Sequence, residues 1–125
     1  MKRILLVVDQ KELRDLLSQF FFLDGYEVES VEDGEAAMAL VRKKQYDLVV
    51  ADFKMPKMNG LDLTRRLKLY YPSLLVLVMS ESGVGEVFFR GAGADAFVTK
   101  PLDLSSMRSL VEELLNRKRN SSNVP

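Results

Sequence analysis

Short apolar runs alternate with helix-period segments five times along this chain, and this alternation constrains the fold more than any other feature. Residues 4–8, 48–51 and 74–79 are rich in Val and Leu and are bounded by polar or turn residues, as expected of strands buried on both faces. Residues 26–31 alternate like a half-exposed edge strand, and residues 96–99 form a short fifth candidate. Five strands are therefore predicted.

The segments between these strands carry apolar residues three or four positions apart, which is the spacing of one buried helix face. Parallel strands need helical crossovers, so the pattern predicts a doubly wound parallel α/β sheet with its ligand site beyond the carboxyl ends of the strands. The helical stripes comprise Leu13, Leu16, Leu17 and Phe20; Ala36, Ala37, Leu40 and Val41; Leu63, Leu67 and Tyr70; and Leu104, Met107, Leu110, Val111 and Leu114.

Four polar residues stand where predicted strands end. Asp9, Asp52 and Ser80 close three of the runs, and Lys100 follows the fifth. A strand-end Asp by itself is usually a solvated turn residue, and a lone Lys is usually a solvated surface residue. Because the carboxyl ends of parallel strands share one edge of the sheet, we expect these four groups to converge there as a site.

Composition limits the chemistry that the site can perform. The 125 residues suit one domain, with residues 119–125 as a tail or linker stub after residue 118. Cys and His are both absent, which excludes thiol or imidazole catalysis and the usual zinc sites. The 18 basic and 18 acidic residues cancel, so bulk charge gives no argument for nucleic acid or an anionic membrane. The first apolar run stops at Asp9, too short for a signal peptide, and a cytoplasmic location is expected.

Specific motifs resemble the receiver domain of two-component response regulators, the CheY-like superfamily. The resemblance extends from "KRILLVVD" through "ADFKMPKMNG" and "VLVMS" to "GADAFVTKP", almost the whole chain. It implies a flavodoxin-like fold with a five-stranded parallel sheet in the order 2-1-3-4-5 and five flanking helices. It also implies a signalling domain rather than an enzyme that turns over a metabolite.

The resemblance assigns a role to each candidate residue. Asp52 would accept a phosphoryl group from a histidine kinase or phosphotransfer protein. Asp9, Asp52 and the backbone carbonyl of Lys54 would bind Mg²⁺. Ser80 and Lys100 would contact the phosphoryl oxygens, and Phe97 would be the aromatic switch residue together with Ser80. These residue types suit phosphoryl transfer, which depends on positioning and on neutralising charge.

Three departures from the usual receiver pattern affect the expected chemistry. Val8 stands where a second acid is expected, so Mg²⁺ should bind weakly. Glu81 occupies a position that is usually small, and its charge should impede an anionic donor. The segment from Ser80 to Lys100 is about two residues shorter than expected, so the fourth helix should be short or irregular.

Alternative functions remain open at this point. A degenerate receiver would bind partners without efficient phosphorylation. A haloacid-dehalogenase-like phosphatase would want a second acid where Lys54 stands, and a flavodoxin would want a hydroxyl-rich loop after the first strand. The expected partners include an effector domain or protein target, and a homodimer through the fourth helix, fifth strand and fifth helix.

The run Val87, Phe88, Phe89 should leave apolar surface on the fourth helix. Consecutive helical residues point about 100° apart, so one stripe cannot bury all three side chains. We expect at least one of these aromatic residues to be exposed near Phe97, either as an isolated apolar group or as a binding patch.

Overall fold

A single five-stranded parallel sheet with helices on both faces forms the fold, as the sequence predicts. The structure is a computed structural model that describes residues 1–81 and 85–122, with side chains described as far as residue 117. The sheet order is β2-β1-β3-β4-β5, which confirms the predicted order. The strands are β1 (Arg3–Val7), β2 (Glu27–Val31), β3 (Leu48–Asp52), β4 (Leu75–Glu81) and β5 (Ala96–Lys100).

A helix follows each strand in the chain, and the helices divide between the two faces of the sheet. They are α1 (Lys11–Leu23), α2 (Gly34–Lys43), α3 (Gly60–Tyr70), α4 (Glu86–Gly91) and α5 (Leu104–Ser122). Helices α2, α3 and α4 pack on the face that carries Leu5, Val49 and Val76. Helices α1 and α5 pack on the face that carries Ile4 and Val50. The central strands are thus buried on both sides.

Three strands run further than their apolar side chains predict. β3 includes Asp52, which is in register with Met79. β4 continues to Glu81 and β5 to Lys100, and these two residues are in register with each other. The backbone hydrogen-bond ladder does not depend on side-chain polarity, so a strand can continue past its last apolar residue. Asp52, Ser80 and Lys100 of the predicted site therefore lie on the sheet ladder itself, whereas Asp9 lies just beyond the end of β1.

The two helices nearest the C-terminus differ in length. Helix α4 has only six residues, Glu86–Gly91, and its N-cap residue Gly85 makes no side-chain cap hydrogen bond, which confirms the expectation of a short fourth helix. Helix α5 continues to Ser122, past the predicted domain end at residue 118, and residues 123–125 of the predicted tail lie outside the described residues. In the described part of the chain, no helix combines the length and apolar character needed to cross a membrane.

Candidate functional site

An ion pair between Asp52 and Lys100 lies at the carboxyl edge of the sheet. Lys100 Nζ donates to Asp52 Oδ2 at 2.7 Å, and Asp52 is only 3% exposed. Removing an unpaired charge from water costs several kcal/mol, so a buried carboxylate needs a close cation. The pair joins the end of β3 to the end of β5, strands that are separated in the sheet by β4.

A cleft of about 440 Å³ opens in front of this pair. Asp9, which follows β1, is exposed and borders the cleft together with Asp52 and Lys100. Three of the four predicted strand-end groups therefore do converge. The lining residues are Asp9, Gln10, Asp52, Lys54, Met55, Pro56, Glu81 and Lys100.

The oxygen atoms around the cleft suit a hard cation that keeps part of its water. Mg²⁺ is typically held in proteins by one or two carboxylates together with waters and phosphate oxygens. Asp9 and Asp52 supply carboxylates, and Lys54, whose backbone carbonyl is the third predicted ligand, also lines the cleft. Among the described residues, no group of three or more Asp, Glu, His or Cys side chains could hold a metal ion by itself. The donor set fits Mg²⁺ and does not fit a metal that needs a complete protein cage.

Ser80 is buried next to the site and is not one of the residues that line the cleft. It is 1% exposed, and its hydroxyl donates to the carbonyl of Glu81 at 3.3 Å. Ser80 directly follows Met79, the residue in register with Asp52. A serine hydroxyl rotates freely about its C–O bond, and its side chain can change rotamer, so the backbone bond does not fix where the donor points.

Phe97 belongs to a cluster of three aromatic rings, Phe53, Phe89 and Phe97. Its ring stacks on Phe89 of α4 with centroids 4.8 Å apart. Phe89 in turn meets Phe53 edge-to-face at 5.2 Å, and Phe53 directly follows Asp52 in the chain. This aromatic cluster therefore links the residue after Asp52 to α4 and to β5. Phe89 is fully buried, whereas Phe88 is 66% exposed, which confirms that one aromatic residue of α4 faces solvent.

Comparison with known proteins decides the family. The family model described as "Response regulator receiver domain" matches residues 4–112. This chain belongs to the response regulator receiver domain family. It is 31% identical over 121 residues to "Sporulation initiation phosphotransferase F" of Bacillus subtilis, covering 95% of this chain and 98% of that protein. Six further curated relatives are 32–34% identical, and the chain spans about half of their length.

Solved structures of receivers share the same fold. A CheY-like receiver domain protein from Methanospirillum hungatei has a TM-score of 0.92 at 28% identity, covering 97% of this chain and 98% of that one. The response regulator TrrA from Thermotoga maritima, solved in complex with Mg(2+)-BeF, has a TM-score of 0.85 at 30% identity, with coverages of 91% and 99%. The chain is thus a receiver domain of two-component signalling, and the phosphatase and flavodoxin alternatives have no support.

Val8 is an apolar core residue in this receiver. It is fully buried on the face of the sheet packed by α1 and α5. Its backbone N–H donates to the carbonyl of Val31 at 3.1 Å, which extends the β1–β2 pairing by one residue. The side chain therefore contributes to packing and supplies no charge to the cleft.

Arg14 contacts the turn between β1 and α1, and the sequence reasoning missed it. A single guanidinium nitrogen of Arg14 donates to the carbonyls of Val8 and Asp9 at 2.9 and 3.0 Å. One feature of the sequence could have indicated this contact. An ion pair within a helix needs an acid three or four positions away, and no acid stands at those positions from Arg14, so its side chain has no such partner on α1.

The loop after Asp52 is held close to the strand by Asn59 and Gly60. Asn59 Oδ1 accepts from the N–H of Asp62 at 2.9 Å and caps α3, as its position predicts. A Cβ atom at Gly60 would lie 2.7 Å from the carbonyl oxygen of Asp52. Only glycine allows this approach, so the Asn-Gly pair brings the start of α3 against the end of β3.

Proposed function

We propose that this receiver accepts a phosphoryl group on Asp52 from a histidine kinase or a phosphotransfer protein. The observation that carries the proposal is the 2.7 Å pair of Asp52 and Lys100, at a cleft that Asp9 also borders. Phosphoryl transfer to a carboxylate needs a positioned oxygen nucleophile and positive charge to balance the incoming oxygens. Asp52 and Lys100 supply these two elements.

In the proposed reaction, a carboxylate oxygen of Asp52 attacks the phosphorus of a phosphohistidine. The new P–O bond forms as the P–N bond breaks, and the imidazole leaves with the electron pair of that bond. Lys100 stays near the carboxylate and balances the charge of the phosphoryl oxygens, and the Ser80 hydroxyl donates to one of them after rotating toward the cleft. Mg²⁺, when bound by Asp9, Asp52 and the Lys54 carbonyl, supplies further neutralisation of those oxygens.

Mapping the modified residue tests this proposal. The protein is incubated with Mg²⁺ and acetyl phosphate, and the adduct is located by mass spectrometry after borohydride trapping. We expect one phosphoryl group on Asp52 in the wild type and none in Asp52→Asn. A phosphoryl group that persists in Asp52→Asn would contradict the assignment. A wild type that stays unmodified with both small donors and a kinase would favour the phosphorylation-independent receiver.

The affinity for Mg²⁺ should be lower than in receivers with two adjacent acids, because Val8 brings no charge to the cleft. Val8→Asp should tighten Mg²⁺ binding severalfold, measured by calorimetric titration. Val8→Asn is the matched control, since it has nearly the same shape and polarity without the charge. Both variants place a polar group at a buried position, so each must first be shown to be folded. Equal Mg²⁺ affinity in the Asp and Asn variants would refute the charge argument.

The remaining expectations also belong to this proposal. The chain acts in the cytoplasm as a phosphorylated signalling module, without turnover on a metabolite. Phosphorylation changes the surface formed by α4, β5 and α5, to which an effector domain, a protein target or a second receiver binds. Val87 and Phe88, 79% and 66% exposed, give this surface an apolar edge. Sedimentation with and without beryllofluoride tests self-association, which Phe88→Ala should weaken.

A further inference from the structure

We infer that Arg14 is a positioning residue for Asp9, and that it sets the affinity of this receiver for Mg²⁺. The inference rests on the proposed function, in which Asp9 is a ligand of the ion. It concerns how the chain orients the acid that it retains at the end of β1. The contacts that carry it are the two hydrogen bonds from one Arg14 nitrogen to the carbonyls of Val8 and Asp9, at 2.9 and 3.0 Å.

These two carbonyls determine the direction in which the Asp9 side chain leaves the backbone. Each peptide unit is planar, so a residue has only two soft dihedral angles, one toward each neighbouring plane. The Val8 carbonyl lies in the plane before the Asp9 Cα atom, and the Asp9 carbonyl lies in the plane after it. Fixing both carbonyls against one nitrogen therefore restricts φ and ψ of Asp9 together, and with them the direction of its Cβ atom.

The other side chains around the turn do not provide these hydrogen bonds to the carbonyls of Val8 and Asp9. Strand β1 ends at Val7 and its pairing with β2 continues only to the N–H of Val8, so the carbonyls of Val8 and Asp9 come after the last of those backbone bonds. Gln10 is the N-cap of α1 but makes no side-chain cap hydrogen bond. Lys11, the other cation in the first turn and a half of α1, pairs instead with Asp15 at 2.8 Å. In the described part of the chain, no carboxylate forms an ion pair with Arg14, and the hydrogen bonds of its side chain go to the turn.

Removing Arg14 would change the affinity for Mg²⁺ in two ways, through charge and through the orientation of Asp9. By charge alone, a cation near the cleft repels Mg²⁺, so removing it should tighten binding. By orientation, removing it lets Asp9 sample directions that do not face the ion, so binding should weaken. Partners that orient metal ligands typically change metal affinity 10- to 100-fold when they are lost. Because the two effects have opposite signs, the direction of the change identifies the role.

The test compares Arg14→Met with Lys11→Met in calorimetric titrations of the full chain with MgCl₂, without a phosphodonor. Both substitutions remove one positive charge from α1 and keep an apolar stem. We expect Arg14→Met to raise the Kd for Mg²⁺ about tenfold, and Lys11→Met to change it less than twofold. Phosphorylation of Asp52 should then need more Mg²⁺ for half-maximal rate, with a smaller change at saturating Mg²⁺.

Several outcomes would overturn the inference. A folded Arg14→Met that binds Mg²⁺ as tightly as the wild type, even with a lower Tm, shows a purely structural role. If Arg14→Met does not fold, Arg14→Lys provides the test. Its ammonium group is on a shorter side chain, so we expect a Kd for Mg²⁺ between that of the wild type and the roughly tenfold higher value expected for a complete loss of positioning. A Kd equal to that of the wild type would refute the positioning role. A wild type that is phosphorylated without binding Mg²⁺ would refute this inference and leave Asp52 as the acceptor, whereas absence of phosphorylation would refute the proposed function itself.

Discussion

Lys57 shows how a single residue can carry local strain beside the site. Its φ is 69°, in the left-handed region that favours glycine. The N–H of Met58 donates to the carbonyl of Pro56 at 2.8 Å, which closes a three-residue turn around Lys57. The turn begins at Pro56, which lines the cleft together with Met55. A non-glycine residue in this region costs roughly 1–2 kcal/mol.

Replacing Lys57 by glycine should stabilise the receiver. Lys57→Gly relieves the left-handed strain but adds entropy to the unfolded chain, so we expect a net gain of about 0.5–1 kcal/mol in the free energy of unfolding. Urea denaturation monitored by circular dichroism measures the change. Lys57→Ala is the control, because it removes the charge and keeps the strain. A gain of equal size in both variants would show that charge, and not backbone strain, limits stability here.

At the scale of elements, helix α4 depends on one ring. Of its six residues, all of them described by the structure, only Phe89 is buried. That ring lies between Phe53 and Phe97. Isolated helices of this length are not stable in water, so tertiary packing must hold α4 in place. Phe89 therefore attaches α4 to the sheet, and neighbouring Phe88 is free to face solvent.

The adjacent phenylalanines provide a matched pair of substitutions. Phe89→Ala should lower the free energy of unfolding by about 3 kcal/mol or more, because it leaves a cavity between the two remaining rings. Phe88→Ala should change it by about 0.5 kcal/mol or less, since that ring is mostly exposed. Chemical denaturation of both variants measures the difference. Similar losses in the two variants would mean that α4 packs through Phe88 as well.

At the scale of the whole molecule, a polar cluster ties the edge strand β2 to the chain before β3. The hydroxyl of Tyr46, 6% exposed, donates to Glu29 Oε1 at 2.9 Å, and Lys44 pairs with the same oxygen at 3.0 Å. Burial first, and then the hydrogen bond to Glu29, raises the pKa of Tyr46 to about 12. The hydrogen bond from Lys44 is the main cause that lowers the pKa of Glu29.

The raised pKa of Tyr46 predicts a loss of stability in alkali. Its pKa is higher in the folded state, so the folded protein retains this proton longer than the unfolded chain does. The stabilisation is complete below the unfolded pKa, near 10, and is lost as the pH rises toward 12. Between those values the wild type should lose about 2 kcal/mol more than Tyr46→Phe. Denaturation at several pH values measures this, with Tyr70→Phe, an exposed ring, as control. Parallel profiles for wild type and Tyr46→Phe would contradict the prediction.

The sequence by itself determined the order of elements, the topology class and the convergence of Asp9, Asp52 and Lys100. These follow from the local hydrophobic periodicity and from the position of each polar residue at a strand end. Both features depend only on residues that are close together in the chain. The capping role of Asn59 could be predicted for the same reason, because its partner Asp62 is three residues away.

Only the tertiary structure decided which groups face the site. Phe88 and Phe89 are alike in sequence, and the positions of Phe53 and Phe97 decide which one is buried. Ser80 is buried and does not line the cleft, and its hydroxyl donates to the neighbouring carbonyl of Glu81. The Lys100–Asp52 pair joins residues 48 positions apart, so no local pattern could give its distance. Packing and pairing depend on partners that are distant along the chain, and only the folded chain brings those partners together.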